Sequence, residues 1–232
     1  MFYILLDGES SMKNNIVVTR RPNFPAPTPR YTDVDVAGIN GSYVEFDGTY
    51  ENIEVEIEFN YITAPSNWHN VWRKVKSWLL KGGQRELQFS DDFGFYYKVK
   101  KIILNTNERE FVNSAEFSAT FTLAPFEYVV NGKKLYTAEQ CKYNQYDICY
   151  PNYIITGEGM CTLTVNGSSM TANVGQNLTI NTELQLAYRV DGVAQNTAVS
   201  GNYNDLKFLN GENEISITDG FDLKIQPNWR CL

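Results

Sequence analysis

From Ile53 to Tyr61 the chain alternates without a break, with Ile53, Val55, Ile57, Phe59 and Tyr61 on one side and Glu54, Glu56, Glu58 and Asn60 on the other. A period of two puts these sets on opposite faces of a strand, one buried and one facing water or a partner. The same alternation runs through Phe117, Ala119, Phe121 and Leu123 against Ser118, Thr120 and Thr122, which predicts a strand over 116–123. Residues 84–89 and 94–104 read as two more strands. Near the N-terminus, the apolar run to Leu6 before Asp7-Gly8 predicts a first strand that ends in a turn. Between Val34 and Tyr50, the run Tyr43-Val44-Glu45-Phe46 lies between the turn signals Gly38-Ile39-Asn40-Gly41 and Asp47-Gly48, and this predicts a hairpin.

The period changes to that of a helix over 66–81. Pro65 precedes the segment, Ser66 or Asn67 can cap it, and Gly82-Gly83 end it. Trp68, Val71, Trp72, Val75, Trp78 and Leu79 form one stripe, with His69, Arg73, Lys74 and Lys76 off it. Three tryptophans invite a ligand-platform reading, but a stripe at this spacing is a candidate helix core that packs on a sheet. Residues 20–30 hold four of the eight prolines, so they cannot be a helix or a central strand and should run extended over a surface as a strap.

After Ala124-Pro125 the pattern weakens into a tyrosine-rich connection. From Ile154 the chain becomes short apolar runs separated by Asn166-Gly167, Asp191-Gly192, Asn210-Gly211 and Asp219-Gly220. Turn pairs at that density predict a small β-sandwich. The expected fold class is therefore mainly β: an N-terminal β domain with one packed helix over 1–125, a connection over 126–149, and a sandwich over 150–232.

Charge and chemistry narrow the function. The 232 residues carry a formal charge of −7, which argues against binding nucleic acid through a basic surface. The apolar N-terminal run lacks a basic flank and is too short for a signal peptide or a membrane span, so the chain is expected to stay in the cytoplasm where it is made. Cys141, Cys149, Cys161 and Cys231 contain no CxxC pair and are expected as thiols. His69 is the single histidine, which excludes histidine-rich metal sites and leaves a catalytic triad improbable. Glu54, Glu56 and Glu58 raise a metal or acid–base reading, yet with no second acidic cluster nearby they read as a solvated or subunit-facing face. The Asn-x-Ser/Thr positions Asn40, Asn166 and Asn177 read as turn or strand residues. Nucleotide-binding, metalloprotease, hydrolase and EF-hand motifs are missing, so no enzyme, cofactor, metal or catalytic residue is expected. For a sugar platform, Tyr188, Tyr203, Phe208, Phe221 and Trp229 are the sandwich aromatics to weigh.

The order of parts resembles the distal tail protein (Dit) family of siphophages. The resemblance rests on the N-terminal strand, Arg21-Pro22 opening the strap, the Gly38–Gly41 turn, the strand at Ile53, the tryptophan helix, and the closing segments Gly211–Ile217 and Pro227-Asn228-Trp229-Arg230. It implies a structural hub at the tail tip of a virion, assembled in the host cytoplasm. The N-terminal domains would form a homohexameric ring and the C-terminal part a galectin-like sandwich. Its partners would be its own copies, the tail tube protein, a tail-fibre or lysin-bearing protein and, in some phages, a receptor-binding protein, with DNA passing through unbound and no membrane involved.

A closed ring needs two different faces on each subunit. The candidate subunit contacts are Arg20, Arg21, Pro22, Phe24, Pro25, Pro27, Pro29 and Arg30 in the strap, with Glu54, Glu56 and Glu58 on the polar strand face. Two other readings compete: a carbohydrate-binding β-sandwich adhesin that recognises cell-wall saccharide, and, more weakly, a glycoside hydrolase built on two carboxylates.

Overall fold

The computed structural model describes residues 2–232, and of Arg109, Glu110 and Phe111 the backbone alone. Strands dominate, with one α-helix, and the chain divides into two compact units, one reaching to Glu127 and joined by Leu232, the other Tyr128–Cys231.

In the first unit a sheet runs in the order Glu9–Ser10, Ile4–Leu6, Arg85–Phe89, Asp92–Leu104, Ser114–Val129, Ile53–Ile62, Val17–Val18, with Glu108–Phe111 also beside Ser114–Val129. The first two strands form a hairpin whose two-residue turn uses Asp7 and Gly8 at φ 55° and 78°. Positive φ at both central positions gives the turn twist that matches paired strands. Ile53–Ile62 pairs antiparallel with Ser114–Val129 from Ile53 opposite Leu123 to Ile62 opposite Ser114. That register sets Phe59 across from Phe117, and the rings stack 5.1 Å apart. All five apolar residues of the predicted face are buried, Glu54 and Glu56 are exposed, and Glu58 is half-buried.

The helix spans Trp68–Leu79 behind a 3-10 turn, Pro65–Asn67. The expected side-chain cap is not made. Asn67 occupies the cap position without bonding the helix backbone, and its Oδ1 instead accepts from Nδ2 of Asn70 at 3.3 Å. Val71, Val75, Trp78 and Leu79 are buried, each worth about 2 kcal/mol of apolar transfer. Trp68 and Trp72 are only half-buried against the core, where Trp72 meets Phe117 at 5.1 Å. Along the stripe Val71, Val75, Trp78 and Leu79 are buried, and the two N-terminal tryptophans stay half-buried.

A second, two-stranded sheet pairs Pro29–Asp35 with Ser42–Tyr50. Asp47-Gly48, a turn signal by composition, does not turn the chain. It lies within the strand Ser42–Tyr50, where the register shifts from Tyr31 opposite Phe46 to Pro29 opposite Tyr50, and Gly48 takes φ 73° to absorb the bulge.

The second unit is organised by one long hairpin, Asn152–Val165 with Ser168–Asn181, joined through Asn166 and Gly167 at φ 50° and 83°. Leu186–Tyr188 and Val199–Ser200 pair with its second strand, and Ile215–Ile217 and Asp222–Gln226 with its first. Tyr153, Ile155, Cys161, Leu163 and Val165 from one arm and Met170, Ala172, Val174, Leu178 and Ile180 from the other fill a single core. The apolar runs at Cys161–Val165 and Leu178–Ile180 belong to these two long arms rather than to separate short strands. Gly157 and Gly159, at φ 154° and 103°, bend the arm while pairing continues. The run 184–190 shrinks to Leu186–Tyr188, with Val190 87% exposed.

The tyrosine-rich stretch is more than a connection. Cys141 and Cys149 are fully buried in the second core, Tyr136 exchanges backbone hydrogen bonds with Ile225, and Cys149 does so with Phe208. These isolated bridges leave no periodicity in the sequence, because each pairs a single residue.

Candidate functional site

The glutamate face lies on Ile53–Ile62, opposite the hydroxyl residues of Ser114–Val129. Glu58 faces Ser118, Glu56 faces Thr120 and Glu54 faces Thr122. Glu56 Oε1 accepts from Ser118 Oγ at 2.6 Å and from Asn105 Nδ2 at 3.1 Å, and Glu58 pairs with Arg20 at 2.7 Å. Among the described residues no group of three or more His, Cys, Asp or Glu side chains is arranged to hold a metal ion. The face is a hydrogen-bonded polar surface.

The strap leaves the edge strand Val17–Val18 and crosses to strands on the far side of Ser114–Val129 in the sheet order. Arg20 sits on Glu58, and Arg21 pairs with Asp91 at 2.8 Å while its guanidinium lies 5.0 Å from the Phe2 ring centre. Phe24 then packs edge-on against Phe89 at 5.0 Å and stacks on Tyr97 at 5.4 Å. Pro22, Pro27 and Pro29 are half-buried, whereas Arg20, Arg21, Phe24, Pro25 and Arg30 stay exposed. The strap is thus laid on its own sheet, with Arg20, Arg21 and Phe24 each engaged within the chain.

From Pro29 the strap becomes the two-stranded hairpin, and here the composition of the surface changes. Tyr31, Val34, Val36, Ile39, Tyr43, Val44 and Phe46 all keep 40–65% of their surface exposed. Two opposite faces of one hairpin both present apolar side chains, since the adjacent residues Tyr43 and Val44 point to opposite sides and both are open. The turn signals mark the hairpin but not this exposure, whose trace in the sequence is the failure of Tyr43-Val44 to alternate.

Burial raises the Cys141 and Cys149 thiols to about 12, so both are protonated and inert at neutral pH. His69 is exposed on the helix, its ring edge-on to Trp68 at 4.8 Å. A polar groove of about 400 Å³ beside the helix is lined by Asp7, Glu9, Lys74, Lys81 and Arg85, but Arg85 there is tied to Asp7 and to the helix end. No described helix is long and apolar enough to cross a membrane.

No protein-family model matches the sequence, and no curated protein matches it. The fold does have counterparts among solved structures. The Dit protein of SPP1, described as a paradigm of the hub adsorption apparatus in phages that infect Gram-positive bacteria, aligns over 100% of both chains with a TM-score of 0.65 and 11% identity. This chain shares the fold of a Dit protein. At that identity the likeness is one of fold, and it spans the whole chain.

Proposed function

We propose that the protein is a non-enzymatic distal tail component of a phage virion, a hub that closes into a ring between the tail tube and a tail-fibre or lysin-bearing protein. The observation that carries this reading is the full-length correspondence with the SPP1 hub protein, with no segment of either chain left over.

The surface of the first unit supports a head-to-tail contact. The exposed segment 29–51 carries Arg30 against Asp33, Asp35, Glu45, Asp47 and Glu51, so it is both apolar and acidic. Elsewhere on the same unit, Leu80 is 52% exposed at a groove of about 210 Å³ rimmed by Lys81, Lys100 and Lys101. None of these three lysines has a carboxylate partner among the described residues. An acidic, apolar hairpin on one copy and a lysine-rimmed apolar groove on the next are two different, complementary faces, which is what a closing heterologous ring requires. The hexamer, the galectin-like shape of the second unit and the passage of DNA along a net-acidic lumen are further parts of the proposal.

The test is light scattering with negative-stain microscopy on the full chain. A ring-sized particle is expected, and it should fall to a monomer in Tyr43→Ser/Val44→Ser. These side chains are exposed, so the variant should melt like the parent. A monomer at high concentration that associates with no other tail protein would overturn the reading.

A further inference from the structure

The second unit carries a feature that the hub role does not use. Tyr136, Gln140, Tyr143, Gln145, Tyr146 and Trp229 line an open groove of about 270 Å³ with no charged side chain in its wall. The Trp229 ring lies 5.1 Å from Tyr136 and 6.1 Å from Tyr146, tilted by 48° and 37°, so the rings form a slanted wall rather than a closed stack.

The wall is held in place from behind. Trp229 O accepts from Val129 N at 2.9 Å, and a Cβ at Gly132 would come within 2.8 Å of Trp229 N, so the backbones touch there. Tyr136 is fixed by its two backbone bonds to Ile225 and by its hydroxyl, which donates to Asn131 O at 3.1 Å. The loop at Tyr146 is pinned by the fully buried Asn144, whose amide donates to Asp147 O and Leu209 O and whose Oδ1 accepts from Tyr146 N. Asn210 donates to Tyr146 O at 2.9 Å. The front, by contrast, is open. Tyr143 is 65% exposed, and the Gln145 amide is exposed without a protein partner among the described residues. The indole N–H of Trp229 is buried and meets no protein acceptor.

We infer that this groove is a binding site for a neutral pyranose, one ring of a longer saccharide. A pyranose has an apolar face of C–H groups and a rim of hydroxyls. The tilted aromatic rings offer π-faces to the former, and the Gln145 amide offers an acceptor and two donors to adjacent hydroxyls, while Gln140 offers its amino donors, its Oε1 already accepting from Thr137 N and Oγ1. Sites for drug-sized ligands span about 300–1,000 Å³, so this groove takes a single ring, with the rest of the chain outside. Charge disfavours the other occupant that aromatic rings favour, a quaternary ammonium group. The rim segments 130–145 carry Lys133, Lys134 and Lys142 against Glu139 alone, a net positive surround with no carboxylate in the wall.

The experiment is saturation-transfer NMR on the full chain with methyl glycosides of glucose, galactose and N-acetylglucosamine, the N-acetylglucosamine trisaccharide, and choline as the competing probe. Binding of at least one saccharide at millimolar concentration is expected. Tyr143→Ala and Gln145→Ala should weaken it about tenfold without changing the melting temperature, because both side chains are exposed. Saturation should fall mainly on the ring protons of the bound sugar's apolar face. Three results would overturn the inference: no transfer to any saccharide at tens of millimolar, transfer that persists unchanged in both variants, or preferential binding of choline. The inference does not depend on ring assembly. Particle size should be the same for Tyr143→Ala and the parent, so loss of sugar binding and loss of the ring are read separately.

Discussion

Arg85 and Asp7 form an ion pair 2.7 Å long in which the guanidinium is almost wholly buried, at 6% exposed, while the carboxylate keeps 41% of its surface in water. The pair joins three elements. Asp7 sits in the first hairpin turn, and its other oxygen accepts from Glu86 N at 2.9 Å. The Arg85 Nη1 donates to the carbonyls of Trp78 and Leu79 at 2.6 and 3.0 Å, satisfying acceptors that the end of the helix leaves open. Three acceptors therefore surround a charge that burial would otherwise strand.

Removing that charge's geometry should be costly. Arg85→Met leaves the last helix carbonyls and Asp7 without their donor, and a loss of about 3 kcal/mol is expected for the first unit. Arg85→Lys keeps the charge but not the fork, so it should recover only part of the loss. Urea unfolding followed by tryptophan fluorescence measures both, and equal stability of Arg85→Met and the parent would contradict the role given to the pair.

The strap should depend on its ring and hardly at all on its charges. Phe24→Ala loses contact with Phe89 and Tyr97 and is expected to cost about 1 kcal/mol. Arg20→Ala and Arg21→Ala break ion pairs whose members are all at least 41% exposed, and each should change stability by less than about 0.5 kcal/mol. Thermal melts of the three variants rank them. A larger loss from either arginine than from Phe24 would mean that electrostatics holds the strap.

Gly157 should tolerate no side chain while Phe221 is present. A Cβ there would stand 2.4 Å from the Phe221 ring, and φ of 154° adds backbone strain. Gly157→Ala is expected to cost about 2–4 kcal/mol, with the cost reduced in a Phe221→Ala background where only the strain remains. A double-mutant cycle with no coupling would show that the ring is not the obstacle.

High pH should weaken the second unit through its thiols. Cys141 and Cys149 are raised from 9.0 to about 12 in the folded chain by burial. Above pH 9 the unfolded chain releases these protons while the folded one holds them, so stability is full below pH 9 and falls as pH rises toward 12. The slope is about 1.4 kcal/mol per pH unit for each thiol. Melting temperatures from pH 8 to 10.5 should drop, and the drop should shrink in Cys141→Ala/Cys149→Ala. If both chains show the same dependence on pH, the thiols are not its cause.

How much of this was legible in advance varied with the kind of signal. The face of Ile53–Ile62 and its partner strand could be read position by position, because alternation is a local consequence of one buried face. The helix stripe was legible too, but not that Trp68 and Trp72 would stay half-buried while Val71, Val75, Trp78 and Leu79 sank in. Which turn of an amphipathic helix covers the sheet depends on where the sheet ends. Arg85 gave no sign of its role, since its partners lie 78 residues away at Asp7 and in the carbonyls of a helix end. The groove at Trp229 was half visible: Trp229 was among the aromatics to weigh, whereas Tyr136, Tyr143 and Tyr146 were assigned to a connection. They reach it through single bridges and one buried asparagine, which impose no period on the chain.

The sequence by itself determined that this chain is built of strands with one helix, that a proline strap runs extended, and that no motif for catalysis is present, because periodicity, proline geometry and motif spacing act over a few residues. The tertiary structure alone decided the rest. It laid Phe24 on Phe89 and Tyr97, left both faces of the 29–50 hairpin bare, drew the run at Cys161–Val165 out into one long hairpin arm bent at Gly157, and set Tyr136 and Tyr146 beside Trp229. Those outcomes turn on which distant surfaces meet, and a residue's distant neighbours leave no trace in the pattern around it.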